Sequence, residues 1–470
     1  MKLLVLMALV AAVPATAALT PAETRMMASV DADQPRSIAL LQRLVDQNSG
    51  TMNLAGVTKV GEMMTAELKP LGFDVVWKPL PQTKRAGHII ATHKGKPGGK
   101  RLLLIGHLDT VFEPDSPFQK FVRSGDKATG PGSGDDKGGM VVMVAALRAM
   151  QVAGTLAGAN IEIVLSGDEE STGDPVEVAR ADLVAAGKRA DAALDFEGLF
   201  REGGKDMGSI ARRSSNSWEV RTTGKTGHSS LIFNPEYGDG AIYELARIIA
   251  AFRTELPEPN LTFNVGLVAG GAAASLDGDK TRMTATGKTN IIPAIAIARG
   301  DFRTLSDEQT ARVRARMQAI VSKSAPLTSA TITFDEGYPP MAPTAGGRAL
   351  LARLNLVNRD IGLPEMPELD PLKRGAGDIA FVARDVDGLV GLGTASTGDH
   401  APGETVDLTS IAVQAKRAAI LMSRLGAEAR PRKLPKALHL TAAGGSRHGT
   451  PSNSSRRDTG NRVRRLRGNS

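Results

Sequence analysis

Residues 101–110 read Arg-Leu-Leu-Leu-Ile-Gly-His-Leu-Asp-Thr, and this stretch decides the fold. Its continuous apolar run is typical of a strand that is buried on both faces of a sheet. Similar runs occur at residues 161–166 and 192–196, and residues 138–151 have the apolar spacing of a helix. Strands that alternate with helices predict an α/β fold with a mixed, mostly parallel sheet and helices on both faces.

A different pattern occupies residues 214–338, between two segments with the α/β pattern. The predicted order there is strand, helix, two strands, helix, strand, which is typical of a ferredoxin-like α+β domain. We therefore expect a small domain inserted into a larger one. The predicted organisation is a signal peptide at 1–18, a main domain in two parts at 19–213 and 339–428, the inserted domain at 214–338 and a basic disordered tail at 429–470.

The first residues predict export. Lys2 precedes an apolar run at residues 3–13, which is too short to span a bilayer, and Ala15-Thr16-Ala17 is a small-x-small cleavage pattern. The alternatives are an uncleaved anchor or a buried helix. No other stretch approaches 18 uninterrupted apolar residues, so we expect a mature protein without a membrane span, located in the periplasm or secreted.

The positive net charge lies in the C-terminal tail. From residue 429 onward the chain has eleven basic residues and one acid, a net charge of +10, so the rest carries −2 of the total of +8. The tail is either a solvated extension without a role or an arm that contacts anionic polymers. The nearly neutral remainder and an aromatic content of 4% argue against nucleic acid as the main partner.

Chemistry-bearing residues follow the predicted central strands, where open parallel sheets bind ligands. His107 and Asp109 come directly after the first run, and in an extended stretch they share a face. Glu169 and Glu170 belong to a run of three acids after the second run, which is either a solvated turn or a cation site. Because the chain has no cysteine, any metal site must use His, Asp and Glu, which suits catalytic zinc.

The glycine-rich stretch at residues 130–139 opens the predicted helix. A phosphate-binding loop is the competing interpretation, since glycines before a helix can bind anions. The GxxxxGK[ST] spacing is absent, and the adjacent Asp135 and Asp136 would repel phosphate. A carboxylate directed at cations is therefore the preferred interpretation.

Five motifs together resemble the aminoacylase/glutamate carboxypeptidase family of dinuclear zinc metallopeptidases, and bacterial glutamate carboxypeptidase in particular. They occur in the family's order: HLDTV at 107–111, GPGSGDDKGG at 130–139, GDEES at 167–171, DFEG at 195–198 and GDHAPGE at 398–404. The resemblance covers roughly residues 35 to 425. It implies that the inserted domain serves as a lid and a dimerisation domain, and that the protein is a homodimer.

The resemblance also implies a role for each matching residue. Asp135 resembles the carboxylate that bridges two metal ions, although Asp136 is a rival for this position. The implied cofactor is two Zn²⁺ per subunit, with Co²⁺ or Mn²⁺ as possible substitutes. Glu169 is similar to the general acid/base, and Asp109 to the residue that orients a histidine ligand. The other implied metal ligands are His107 and Glu197 for one ion, and Glu170 and His400 for the second.

Residues outside these motifs concern the substrate. His228 resembles the family's oxyanion-stabilising histidine, which often acts in a partner subunit's site, and Asn290, Arg303 and Arg374 resemble substrate-binding positions. Arginine is the natural partner of a carboxylate because its fork matches two oxygens. A surface loop for His228 and a solvated strand-face charge for Arg303 are the alternatives.

The predicted function is hydrolysis of an amide bond next to a free carboxylate in a small peptide or N-acyl amino acid, with release of a C-terminal amino acid. One departure from the family leaves an alternative open. The inserted segment has His228-Ser229-Ser230, whereas glutamate carboxypeptidases usually have His-Ala-Gly. An N-acyl-amino-acid deacylase or a dipeptidase is therefore the second prediction, and a non-catalytic, metal-bound binding protein is a minor third.

Overall fold

The computed structural model describes residues 19–430. The predicted signal peptide and the predicted tail beyond Arg430 lie outside the described residues. Over this range the chain forms these α-helices: α1 Pro21–Asp46, α2 Leu54–Leu68, α3 Lys137–Ala153, α4 Val176–Ala179, α5 Ala181–Arg189, α6 Gly240–Glu255, α7 Asp307–Val321, α8 Ala345–Asp360 and α9 Thr409–Gly426.

The strands of the same range are β1 Asp74–Leu80, β2 Arg85–His93, β3 Arg101–His107, β4 Val122–Ser124, β5 Lys127–Thr129, β6 Asn160–Ser166, β7 Ala192–Asp195, β8 Arg201–Glu202, β9 Lys205–Asp206, β10 Ser215–Gly224, β11 Thr262–Gly271, β12 Ala273–Leu276, β13 Met283–Thr286, β14 Ile295–Arg303, β15 Thr328–Tyr338, β16 Gly388–Leu389, β17 Ser396–Thr397 and β18 Thr405–Asp407. No helix among the described residues is long and apolar enough to cross a membrane.

A six-stranded sheet in the order β1-β2-β6-β3-β7-β16 organises the larger part of the chain. β3 pairs in parallel with β6 and β7, β16 continues in parallel, and β1 and β2 form an antiparallel edge. Leu102 and Leu104 of β3 face one hydrophobic core with α1, α3 and α9, while Leu103 and Ile105 face another with α5. All four side chains are fully buried, which confirms the predicted α/β class.

A second, antiparallel sheet in the order β11-β14-β10-β15 lies within the segment predicted to be inserted. Helices α6 and α7 cover it, and Trp218, Phe252 and Phe302 belong to its separate core. The order of the elements in this sheet and its helices matches the predicted strand and helix order. The sequence also predicts a strand at residues 280–287, and β13 in this stretch pairs with β12 as a separate two-stranded ribbon instead of joining the sheet. The domain boundaries themselves stay a prediction.

The first helix begins earlier than its apolar spacing suggests. The sequence predicts a helix from residue 34, whereas α1 begins at Pro21. Thr20 and Glu23 form a capping box, in which each side chain accepts a backbone N–H of the other residue, and this box fixes the helix start. The capping box therefore decided where α1 begins, although the apolar periodicity of its first turns is weak.

The predicted tail also begins later than expected. The sequence predicts disorder from residue 429, but Ala429 forms a bridge with Gly99 and the Arg430 guanidinium lies 3.1 Å from Asp191 Oδ2. Because the side chain of Asp191 is fully buried, its charge requires a cationic partner, and Arg430 provides one.

Candidate metal centre

Three of the predicted chemical residues lie where neighbouring parallel strands end. His107 is the last residue of β3, Glu170 follows the end of β6, and Glu197 follows the end of β7. β3 lies between the other two strands, so the three ends share one edge of the sheet. The position is that of ligand sites in open α/β sheets.

Asp135 lies between two imidazoles. Its Oδ1 is 2.9 Å from His107 Nε2 and its Oδ2 is 3.0 Å from His400 Nε2. Burial alone would raise the pKa of Asp135, but hydrogen bonds from the two histidines outweigh burial and hold the pKa well below its usual range. A carboxylate that presents a different oxygen to each histidine has the geometry that a bridging ligand needs.

Asp136 is oriented differently from Asp135. It is fully buried, and its Oδ2 accepts the backbone N–H of His107 at 3.3 Å. A side chain at Gly139 would collide with Asp136 Oδ1 and with the Phe196 carbonyl, so glycine allows the start of α3 to approach β7. The geometry therefore favours Asp135 over Asp136 as the residue shared by two metal ions.

The donor atoms form two overlapping groups, within each of which they lie within 4.8 Å of one another. One group is His107, Glu169 and Glu197, and the other is His107, Asp135 and Glu170. His400 joins the second group, since its Nε2 is 3.1 Å from Glu170 Oε2. Clustered imidazole and carboxylate donors fit two divalent cations, and they are the ligand types of catalytic zinc. The structure differs from the predicted division of ligands in two ways: His107 lies near both groups, and Glu169, predicted as the acid/base, is among the donors of the first group.

Asp109 contacts residues of two motifs, His107 of HLDTV and the Glu169-Glu170 backbone of GDEES. His107 Nδ1 is within hydrogen-bond distance of the Asp109 backbone carbonyl at 3.1 Å, and Asp109 Oδ1 lies 3.5 Å from the same nitrogen. Asp109 Oδ1 also accepts the backbone N–H of Glu169 at 3.0 Å. Its Oδ2 accepts the backbone N–H of Glu170 at 3.1 Å and the hydroxyl of Thr51 at 2.6 Å. Asp109 therefore orients both His107 and the acidic loop, as a carboxylate behind a metal-binding histidine does.

Glu169 has no hydrogen bond to its carboxylate among the described residues, in contrast to Glu170, which His400 contacts. Burial raises the pKa of Glu169 well above its usual value, and it raises the pKa of Glu170 to about 7. The two neighbours thus differ in surroundings, which is the arrangement expected when one residue binds a metal and the other transfers a proton.

Two arginines lie beside Glu197: Arg212 is buried, and the Arg374 side chain is 12% exposed. Arg212 Nη2 is 2.5 Å from Glu197 Oε1, and Arg374 Nη2 is 3.7 Å from Glu197 Oε2. Both guanidinium groups have an Nε and an Nη2 atom that are buried without a directed hydrogen bond among the described residues. The Arg212 contact with Glu197 is an ion pair by distance but lacks hydrogen-bond alignment.

Arg303 lies at the edge of this arginine cluster. It is half-buried, its Nε is 3.4 Å from Asp301 Oδ2, and its Nη1 lies beside Gly375. The neighbouring Arg213 contacts the backbone carbonyl of Arg374 at 3.5 Å. The predicted substrate-binding residues Arg374 and Arg303 are therefore near one another, and Arg374 is the one that reaches the metal ligands.

Two predicted site residues form a separate pair. His228 is exposed and its Nδ1 lies 2.8 Å from Ser230 Oγ. Asn290 is also exposed, and its carbonyl accepts the backbone N–H of Ser229 at 2.9 Å. Within residues 19–430, no hydrogen bond or ion pair joins either residue to the candidate metal ligands.

The sequence did not single out two residues that shape the centre. Glu404 accepts the backbone N–H groups of Gly132, Gly134 and Asp135 at 3.0, 2.6 and 3.1 Å, and so holds the loop of Asp135. Glu404 could have been found from the sequence, because it ends the GDHAPGE motif four residues after His400. Arg212 had no comparable signal, because only the three-dimensional structure brings it to Glu197.

A sheet edge with clustered imidazoles and carboxylates, next to guanidinium groups, defines a hydrolase with a candidate dinuclear metal centre. The chain belongs to peptidase family M20/M25/M40, whose family pattern matches residues 103–424. It is therefore a metallopeptidase or metal-dependent amidohydrolase, and the resemblance drawn from its motifs is confirmed.

Relatives agree with this assignment. Carboxypeptidase G2 of Pseudomonas sp. is 28% identical over 409 residues, which cover 84% of this chain and 90% of the relative. A succinyl-diaminopimelate desuccinylase of Gluconacetobacter diazotrophicus is 26% identical over 82% of this chain and 94% of its own length. The fold is similar to that of the YXEP protein of Bacillus subtilis, described as a dinuclear metal binding peptidase, with a TM-score of 0.59, 16% identity, and coverage of 84% of this chain and 99% of the other.

Proposed function

We propose that the protein hydrolyses an amide bond next to a free carboxylate and releases a C-terminal amino acid, with glutamate as the preferred residue. The observation that carries this proposal is the pair of guanidinium groups, Arg212 and Arg374, beside the metal ligand candidate Glu197. Arg374 has Nε and Nη2 atoms without a directed hydrogen bond among the described residues, which suits a carboxylate supplied by the substrate, whereas Arg212 is already paired with Glu197. The similarity to carboxypeptidase G2 supports the same substrate class.

Five residues would hold two Zn²⁺ ions in this proposal: His107, Asp135, Glu170, Glu197 and His400. The ions would supply Lewis acidity to the scissile carbonyl and to the attacking water. Zinc is proposed because imidazole and carboxylate donors suit it, and Co²⁺ or Mn²⁺ are the expected substitutes.

The residues of the chain have separate tasks. Glu169 would take a proton from the attacking water and pass it to the leaving nitrogen, because its carboxylate lies beside the ligands and has no hydrogen-bond partner within residues 19–430. Asp109 keeps the Glu169 amide and the His107 ring in place. Arg374, with Arg303 at the edge of its cluster, would hold the substrate carboxylate.

A deacylase acting on N-acyl amino acids, or a dipeptidase, is the second proposal. The loop of His228 favours it, because Ser230 Oγ binds His228 Nδ1 at 2.8 Å and the usual His-Ala-Gly of glutamate carboxypeptidases has no such hydroxyl. The relative named as a desuccinylase supports this alternative. Both reactions use the same metal ligands and the same proton transfer.

We also propose that the protein forms a homodimer through the second sheet. β11 is an edge strand of that sheet, and Phe233, Tyr243 and Val268 of the same segment are large apolar residues with 60, 54 and 58% exposure. Unpaired edge strands and exposed apolar side chains favour association. Size-exclusion chromatography with light scattering tests this proposal, and a monomer at micromolar concentration would contradict it.

Export to the periplasm or the medium is a further proposal, and it rests on the leader pattern at residues 1–18. N-terminal sequencing of protein recovered from the expressing cells tests it. A start at residue 18 or 19 supports cleavage of the leader, and an intact N-terminus in the cytosol contradicts it.

The test of the main function is hydrolysis of N-acylglutamates, N-acetylornithine and several dipeptides by zinc-loaded enzyme, with quantified release of the amino acid. Preferential release of glutamate supports the carboxypeptidase proposal. Release mainly from N-acetylornithine or dipeptides supports the second proposal. Arg374→Lys should weaken selection for carboxylate substrates. Arg353→Lys on α8, at a half-exposed arginine that pairs with Glu428, is its matched control.

A further inference from the structure

A polar network joins the end of β15 to the loop that carries Glu169. Tyr338 is the last residue of β15, and its hydroxyl donates a hydrogen bond to the Glu169 carbonyl at 2.7 Å. The same oxygen accepts from Thr172 Oγ1 at 3.0 Å and from Arg180 Nη2 at 2.8 Å. One donated and two accepted hydrogen bonds use the full capacity of a phenol, so the orientation of the hydroxyl is fixed.

Arg180 is held independently of Tyr338. Its side chain is 1% exposed, its Nη1 is 2.6 Å from Asp168 Oδ1, and its Nε is 2.7 Å from Asp378 Oδ1. The rings of Tyr338 and Phe381 lie 5.7 and 5.5 Å from the guanidinium carbon. Two carboxylates thus keep Arg180 in place even when the phenol oxygen is removed.

We propose that Tyr338 is a positioning residue for Glu169. Its hydroxyl fixes the carbonyl of Glu169, while Asp109 accepts the backbone N–H of the same residue at 3.0 Å. With both polar backbone groups held, the carboxylate can move only by side-chain rotation, and it stays beside His107 and Glu197. This inference rests on the proposed role of Glu169 in proton transfer.

The same contact links the two sheets. Tyr338 pairs with Ser215 at the end of the β10–β15 ladder, so it belongs to the second sheet, whereas Glu169 follows β6 of the first sheet. A displacement of the end of β15 would therefore be transmitted to the Glu169 carbonyl. Through Tyr338, the position of the Glu169 carboxylate in proton transfer therefore depends on the position of the second sheet.

The kinetic test compares Tyr338→Phe with the unsubstituted enzyme on the best substrate of the panel. We expect kcat to fall about tenfold with KM changed less than about twofold, because a lost hydrogen bond to the loop weakens positioning and leaves the carboxylate-binding residues intact. Thr172→Val is the matched control: it removes the Thr172 bond to the same phenol oxygen and a 3.2 Å bond from Arg180 Nη2, and it leaves the bond from Tyr338 to Glu169. Unchanged kcat in Tyr338→Phe, or an equal loss in Thr172→Val, would overturn the proposal.

A second measurement needs no catalysis and no substituted protein. Hydrogen–deuterium exchange of the metal-free full chain is followed as Zn²⁺ is added. We expect slower exchange both in residues 167–173 and in residues 334–338, because Tyr338 joins the two segments. Protection of the first segment without the second in unsubstituted enzyme would refute the link.

The two measurements separate the inference from the proposed function. If no amide in the panel is hydrolysed but both segments respond to Zn²⁺, the proposed function fails and the link between Tyr338 and Glu169 holds. If Tyr338→Phe folds, protection of residues 334–338 should be lost in it and retained in Tyr243→Phe, a change of an exposed tyrosine on α6.

Discussion

Asp109→Asn is expected to disrupt the centre with almost no change in side-chain shape. The carboxylate accepts N–H groups of Glu169 and Glu170 on different oxygens, at 3.0 and 3.1 Å. An asparagine must turn its NH₂ group toward one of these donors, whichever way the amide is oriented. One buried N–H then loses its acceptor, which costs about 1–3 kcal/mol of unfolding free energy.

The same substitution should weaken metal binding. His107 Nδ1 lies 3.1 Å from the Asp109 backbone carbonyl, a contact that the substitution keeps, but the imidazole loses the carboxylate charge 3.5 Å away at Asp109 Oδ1. Removal of such a partner typically lowers metal affinity about 10–100-fold. Zinc affinity would be measured by competition with a chromophoric chelator, together with denaturant unfolding of the metal-free protein.

Thr51→Val provides the control, because it removes only the hydroxyl that donates to Asp109 Oδ2 at 2.6 Å. We expect it to lower zinc affinity much less than Asp109→Asn does. Wild-type zinc affinity and kcat in Asp109→Asn would show that Asp109 does not position the centre, and the reasoning from its four contacts would be wrong.

The remaining predictions concern catalysis and assembly. Glu169→Gln should keep both metals but reduce kcat by about 10²–10⁴-fold, because it removes the proton-transfer group. Metal analysis and steady-state rates measure this, and near wild-type turnover would contradict the role of Glu169. Chelation should abolish hydrolysis, and added Zn²⁺ or Co²⁺ should restore it; full activity of demonstrably metal-free protein contradicts the two-metal proposal. His228→Ala should lower kcat, and mixed dimers of His228→Ala with Glu169→Gln should recover activity if His228 acts in the partner subunit's site, whereas no recovery in confirmed mixed dimers would exclude that arrangement.

Much of the fold could be predicted from local patterns. The run at residues 101–106 is apolar at every position except its first and last, and such a run must be covered on both faces. The alternation of β3 side chains between two cores follows directly from the strand geometry. Helix ends were less predictable, since the start of α1 depends on one capping box rather than on periodicity.

The sequence by itself determined the location of the candidate site, because residues that follow parallel strands must meet at one sheet edge. The position of His107, Glu170 and Glu197 after those strands could therefore be read before any coordinates. Their roles as metal ligands, like those of Asp135 and His400, came only through motifs that resemble a known family.

Only the tertiary structure decided which residues surround that centre. Arg212 reaches Glu197, and Tyr338 reaches the Glu169 carbonyl across 169 positions of the chain, and no local pattern encodes such contacts. The structure likewise placed His228 and Asn290 in two exposed loops that contact each other, and within residues 19–430 neither residue contacts the candidate metal ligands. The positions of strand ends follow from backbone geometry. Contacts between the two sheets depend instead on how their separate cores pack, and no local sequence pattern specifies that packing.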